Sequence, residues 1–113
     1  MEGQGSPEIT IEEFGRVDLR VGLVKEASRI SGSRKLIKLV VDLGELGTRT
    51  LVAGLGEWYE PEHFVNKHVI VVANLKPRKI FGIESQGMIL ATDTEVPVIL
   101  TVEREVRPGA RVR

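Results

Sequence analysis

Cysteine is absent from the 113-residue sequence, and with it go disulfides, thiolate metal sites and cysteine nucleophiles. That absence suits a reducing compartment, and the expected location is the cytoplasm. No run approaches the roughly 20 apolar residues a membrane-spanning helix needs, and Met1 to Ile9 carries no apolar stretch of the kind a secretion signal requires. No membrane partner is expected. Aromatic residues are scarce at 4%, so few rings exist either to fill a core or to stack on a ligand. An excess of one charge is lacking too: sixteen basic residues balance sixteen acidic ones, which removes the broad basic field many nucleic-acid binders carry.

What is present supports one packed globule. Hydrophobic residues make up 42% and charged residues 28%, a balance unlike that of disordered chains, and the length suits one ordinary domain. The charges are unevenly placed. Between Glu26 and Asp42 lie Arg29, Arg34, Lys35 and Lys38 with no acid, and between Glu62 and Glu84 lie Lys67, Lys76, Arg78 and Lys79, again with none. These windows are either two cationic contact regions or solvated loops and strand faces.

Residues 1–8 read as a flexible lead and residues 9–113 as the domain. Thr10 to Glu13 matches a capping box for one helical turn. Val17, Leu19, Val21 and Leu23 alternate with polar or small residues, and Ile37, Leu39, Val41 and Leu43 restore that alternation after Ser31-Gly-Ser33, which predicts two half-buried strands. Thr48 to Ala53 is a third. Gly54 to Pro61 permits a short helix or turn before a buried strand over Lys67 to Asn74. Pro77 and Gly82 bracket a loop, Gly87 to Thr92 is another strand, and Val96 to Val102 and Val106 to Val112 are extended tails. The fold class is all-β. A five-stranded OB-fold barrel with a short helix between strands three and four fits this order, while an SH3-like barrel or a sandwich is also compatible with periodicity.

No residue set suggests catalysis, and no metal or cofactor is expected. His63 and His68 are poorly spaced as ligands. Gly54-Leu-Gly56 lacks the third glycine and the βαβ context of a dinucleotide site. Glu57, Glu60 and Glu62 read as a solvated acidic face, Ser85 lacks a nucleophile elbow, and Trp58 and Tyr59 are expected to anchor a core. The segment Asn74-Leu-Lys-Pro-Arg-Lys79, followed by Phe81 to Met88, is richer. Pro77 stiffens it, Lys76, Arg78 and Lys79 offer phosphate contacts, and Ser85, Gln86 and nearby amides offer hydrogen bonds to sugars or bases. It suits an RNA-facing rim, or alternatively a basic hairpin that serves solubility.

Over Ile9 to Arg113 the chain resembles the tRNA-binding domain family. The resemblance is carried by Val17-Asp-Leu-Arg-Val-Gly22, Lys35-Leu36 with Val41-Asp42, Tyr59-Glu-Pro-Glu62, Asn74 to Lys79 and Gly82-Ile-Glu-Ser-Gln-Gly-Met-Ile-Leu90. It implies an OB-fold that grips the outer corner of tRNA by shape and catalyses no reaction. It implies an RNA-facing surface at Lys35, Asn74, Lys76, Pro77, Arg78, Ser85, Gly87 and Met88; with the adjoining Arg34, Lys79 and Gln86 these form the expected site. Arg34 departs from the family pattern, in which an acidic residue often precedes the lysine. Free-standing members resemble homodimers, and the tail Val106 to Arg113 matches their C-terminal end, which implies a dimerisation tail. The expected partners are tRNA, a second copy, and the catalytic subunit of methionyl-tRNA synthetase, to which this type serves as a β subunit or accessory. The alternative is the export-chaperone branch, which binds unfolded polypeptides and lacks the form at Asn74 to Pro77.

Overall fold

The computed structural model describes residues 5–113; the first half of the expected flexible lead, residues 1–4, lies outside the described residues. Thr10 caps helix α1 (Ile11–Phe14) reciprocally. The Glu13 backbone N–H donates to Thr10 Oγ1 at 3.1 Å, and the Thr10 N–H donates to Glu13 Oε1 at 2.8 Å, the predicted capping box.

Eight strands follow: β1 (Leu19–Arg29), β2 (Ile37–Asp42), β3 (Thr48–Ala53), β4 (His68–Val72), β5 (Arg78–Ile80), β6 (Ile83–Ser85), β7 (Met88–Ile89) and β8 (Arg111–Val112). The main sheet runs β3-β2-β1-β4-β7, antiparallel throughout, with β8 paired to β1; β5 and β6 form a separate hairpin. β1 is long enough to serve two neighbours. Its first half, Leu19 to Leu23, pairs with β4, and Leu23 to Arg29 pair with β2 across an irregularity between Val24 and Glu26. Such a bulge bends the strand and turns the sheet back on itself. Closure comes at β3. Gln86 N–H donates to Thr50 O at 2.9 Å, and Val52 N–H donates to Ser85 Oγ at 3.0 Å. The result is a nearly closed five-strand barrel with the strand order of the expected OB-fold.

Alternation along the strands fills that barrel. Ile37, Leu39 and Val41 on β2, Leu51 on β3, and Val69 and Val71 on β4 point inward and are fully or almost fully buried. Burying each such side chain stabilises by about 1.5–3 kcal/mol. Between β3 and β4 the expected short helix is a single 3-10 turn (Pro61–His63). Pro61 at its start suits a helical first turn, and the turn delivers Phe64, wholly buried, into the core.

Three expectations change. The bracketed loop from Pro77 to Gly82 is instead the β5–β6 hairpin, joined by Phe81 and Gly82 at φ 53° and 81°, the two left-handed residues of a tight primed turn. Trp58 does not anchor the core and is 42% exposed. The segment read as an extended C-terminal tail is paired within its own chain. Val21 N–H donates to Ala110 O at 2.8 Å and Gly109 N–H donates to Val21 O at 2.7 Å, while Arg111 and Val112 pair with Arg20 and Leu19. It belongs to the barrel of its own chain.

Candidate nucleic-acid interface

The β5–β6 hairpin leans against β3, and between them runs a groove of about 330 Å³. Its apolar wall is Val52, Leu75, Ile80 and Met88; Lys76 and Arg78 stand on its rim, with Ser85 and Gly87 behind. Five of the eleven sequence-predicted residues line this one cavity. Lys76, Pro77, Arg78 and Lys79 are all exposed, and Met88 is 50% exposed beside them. Pro77 fits the entry to the hairpin because a proline at the start of a strand gives up no ladder hydrogen bond.

The other predicted residues divide by what holds them. Arg34 and Lys35 lie exposed on the β1–β2 loop, which Arg29 locks from beneath. The Arg29 guanidinium donates to Arg34 O and Gly56 O, each at 3.1 Å, and lies 3.2 Å from Glu60 Oε2. Gly56 N–H also donates to Lys35 O at 2.8 Å. This loop meets the hairpin: a Cβ on Gly32 would stand 3.4 Å from Phe81 Cε2. The two cationic windows, separate in sequence, are therefore brought near each other where Gly32 meets Phe81, while Arg34 itself lines a separate cavity with Ser33, Gly56 and Glu57. Among the described residues, none of Arg34, Lys35, Lys76, Arg78 and Lys79 is in an ion pair, so their charge is available to a ligand.

Asn74, Ser85 and Gln86 each give polar atoms to hydrogen bonds within the chain. Asn74 Oδ1 accepts from Asp18 N–H at 2.9 Å and its Nδ2 donates to Arg16 O at 2.6 Å, clasping the entry to β1. Ser85 is 5% exposed; its hydroxyl accepts from Val52 N–H and donates to Gly87 O at 3.1 Å. Gln86 Oε1 accepts from Thr50 N–H at 3.2 Å. The barrel closure thus uses the Ser85 hydroxyl both as acceptor and as donor, while it takes only Oε1 of the partly exposed Gln86. Gly87 sits at φ 137°, where a Cβ would lie 2.8 Å from Val72 O; only glycine lets the chain pass there. These residues shape the groove that their neighbours line.

Sequence reasoning missed Arg29 as a lock, Val52, Leu75 and Ile80 as the groove wall, and Phe81 as an exposed ring. The sequence pattern puts Val52 in the third strand and Ile80 in a loop, and neither placement reveals the gap between their elements. Asp18 lies under the Asn74 clasp, and the hydrogen bond from Arg20 at 2.7 Å holds its carboxyl below the usual carboxylate range against the opposing effect of burial. His63 stacks on Tyr59 with ring centroids 4.3 Å apart, and burial followed by the nearby Lys67 charge pushes its imidazole pKa down. No group of three or more His, Cys, Asp or Glu placed to hold a metal occurs among the described residues, and no helix among them is long and apolar enough to cross a membrane.

A small, nearly closed barrel presenting an apolar groove beside exposed cations belongs to the OB class, on which nucleic-acid binders are commonly built. Residues 19–111 match the family described as "Putative tRNA binding domain", and the chain belongs to that family. It is 52% identical over 107 residues to a methionine–tRNA ligase of Methanocella arvoryzae, covering 95% of this chain and 16% of that protein. A second, from Methanopyrus kandleri, is 50% identical over 99% of this chain and 17% of its own length. The chain thus spans about one sixth of the curated relatives it matches. Among solved structures, a MetRS-related protein from Pyrococcus horikoshii superposes with a TM-score of 0.88 at 42% identity, covering 96% of this chain and all of that one. The chaperone CsaA from Bacillus anthracis gives 0.87 at 28% identity, covering 95% and 100%. Fold alone does not separate these two neighbours; sequence identity does, at 42% to the MetRS-related protein against 28% to CsaA.

Proposed function

We propose that the chain binds the outer corner of tRNA through the groove and rim between the β5–β6 hairpin and the β1–β2 loop, without catalysing a reaction, and that it does so in the cytoplasm as an accessory or β subunit to methionyl-tRNA synthetase. One observation carries the reading: Lys76 and Arg78, exposed and in no ion pair among the described residues, line an apolar groove, with Lys79 exposed beside them and the Arg34–Lys35 loop touching the same hairpin at Phe81. Point charges there meet phosphates, and Arg78 can also grip one bidentately. Residues 9–113 form the working unit, since the segment that ends it pairs with β1.

Mobility shift with total tRNA across a salt series tests this. Wild type should bind with strongly salt-dependent affinity. Each phosphate contact removed should reduce the slope of log affinity against log salt by about 0.7–0.9, so the triple variant Lys76→Ala, Arg78→Ala, Lys79→Ala should lose about 2 from that slope. A folded triple variant with unchanged affinity and slope would take the hairpin out of the binding surface. Binding of unfolded polypeptide in preference to tRNA would return the chaperone reading.

A second copy is part of the same proposal. Ile9, Ile11, Phe14 and Val17 are exposed apolar side chains on and around α1; Ile11, Phe14 and Val17 share with Val112 of β8 a cleft of about 430 Å³. The pattern suits a self-complementary contact about a two-fold axis.

A further inference from the structure

Phe81 is the one bulky residue among the described non-glycine positions with positive φ; the other is Asn66. Asparagine tolerates that region, whereas a large side chain there is a strained choice. The turn would form more readily with asparagine or aspartate before Gly82. The ring gains little burial in return, since Phe81 is 60% exposed. A position that carries backbone strain and holds an apolar ring in water is poorly explained by folding. Its surroundings point to a ligand. Arg78 and Lys79 precede it on β5, and its ring edge lies beside Gly32, two residues before Arg34 and Lys35. The scarce aromatic therefore stands between the two cationic windows, fixed at the apex of a two-residue turn that leaves it few alternative directions.

We propose that Phe81 is a stacking platform for an unpaired nucleobase of the bound RNA, its neighbours Arg78, Lys79, Arg34 and Lys35 holding the flanking phosphates. The proposal rests on the tRNA-binding reading above and adds to it a contact that is not electrostatic. Single-stranded and loop nucleotides offer exposed π-faces, which aromatic side chains capture with little dependence on base identity.

The variants Phe81→Leu, Phe81→Trp and Phe81→Gly, with Lys76→Ala as the phosphate comparison, test this in the full chain. Phe81→Leu keeps an apolar side chain but no π-face, and it should weaken tRNA binding by roughly tenfold or more without changing the salt slope, because no phosphate contact is lost. Phe81→Trp should bind at least as well as wild type. Phe81→Gly should bind weakly yet melt at the same temperature or higher, since glycine adopts the turn without strain; a residue kept for folding would show the opposite. If Phe81→Leu and Phe81→Gly bind as wild type while Lys76→Ala lowers the slope, stacking is overturned and the tRNA reading survives. If the Phe81 variants lose particle mass in light scattering, the ring is a protein contact and the proposal fails. If wild type binds no tRNA, both readings fall together.

Discussion

Ser85 and Met88 stand three residues apart in one motif and do different work. Ser85 has its hydroxyl between Val52 N–H and Gly87 O at the point where the barrel closes, so Ser85→Ala leaves a buried amide unsatisfied, at a cost of about 1–3 kcal/mol. Met88 is half exposed on the groove, and Met88→Ala should cost well under the roughly 2–5 kcal/mol of truncating a buried methionine while weakening tRNA binding. Thermal melts beside binding titrations separate the two: a stable Ser85→Ala, or an unfolded Met88→Ala, would reverse the assignment. His63 yields a pH prediction. Its pKa in the folded chain is held below the ordinary value of about 6.5, so the unfolded chain takes up the proton first as pH falls. The stability linked to the neutral ring is present above that ordinary value and is lost on acidification through the folded pKa. His63→Phe keeps a ring against Tyr59 and removes the titration, so the drop in melting temperature between pH 7.5 and pH 5.5 should be smaller than in wild type; an equal drop would assign the acid sensitivity elsewhere.

At the scale of elements, legibility followed burial. β2 was readable because Ile37, Leu39 and Val41 face one core and the residues between them do not, which is the period a strand imposes. α1 was readable because its capping box is local to four residues. The hairpin was not, since β5 and β6 have three residues each, mostly exposed, and Phe-Gly is an unusual pair for its turn. The cations of the site were visible as an acid-free run, and the sequence motif brought Lys76, Arg78 and Met88 into view together. The roles of Asn74 and Ser85 were hidden for a different reason: their partners lie 56 and 33 residues away, and no local pattern distinguishes a hydroxyl that meets RNA from one that completes a barrel. The C-terminal segment was similarly opaque, because its pairing with β1 depends on a strand some 90 residues earlier in the chain.

For the whole molecule, zero net charge is compatible with RNA binding because the cations are gathered. The hairpin and the β1–β2 loop hold theirs unpaired, while Arg20 and Arg29 are taken up by Asp18 and Glu60. Exposed apolar side chains also occur around α1, at Ile9, Ile11, Phe14 and Val17. No residue of α1 is buried, so a four-residue helix with Ile11 and Phe14 in water contributes little to the core of one chain and gains a reason to exist when it is covered. Wild type should therefore scatter light as a particle of about twice the 12.5 kDa chain mass. Ile11→Glu with Phe14→Glu should reduce that mass by half with the barrel's cooperative melt retained, because the substituted side chains leave no cavity. Deleting residues 106–113 is a different perturbation: it strips the hydrogen bonds from Val21 to Gly109 and Ala110 and should lower the melting temperature whether or not the chain dimerises. The double variant would also bear on recognition, since a symmetric pair presents two RNA surfaces on one particle and separating them should weaken binding of a tRNA that touches both, leaving the salt slope per chain unchanged. A wild-type particle of single-chain mass at micromolar concentration would overturn the dimer.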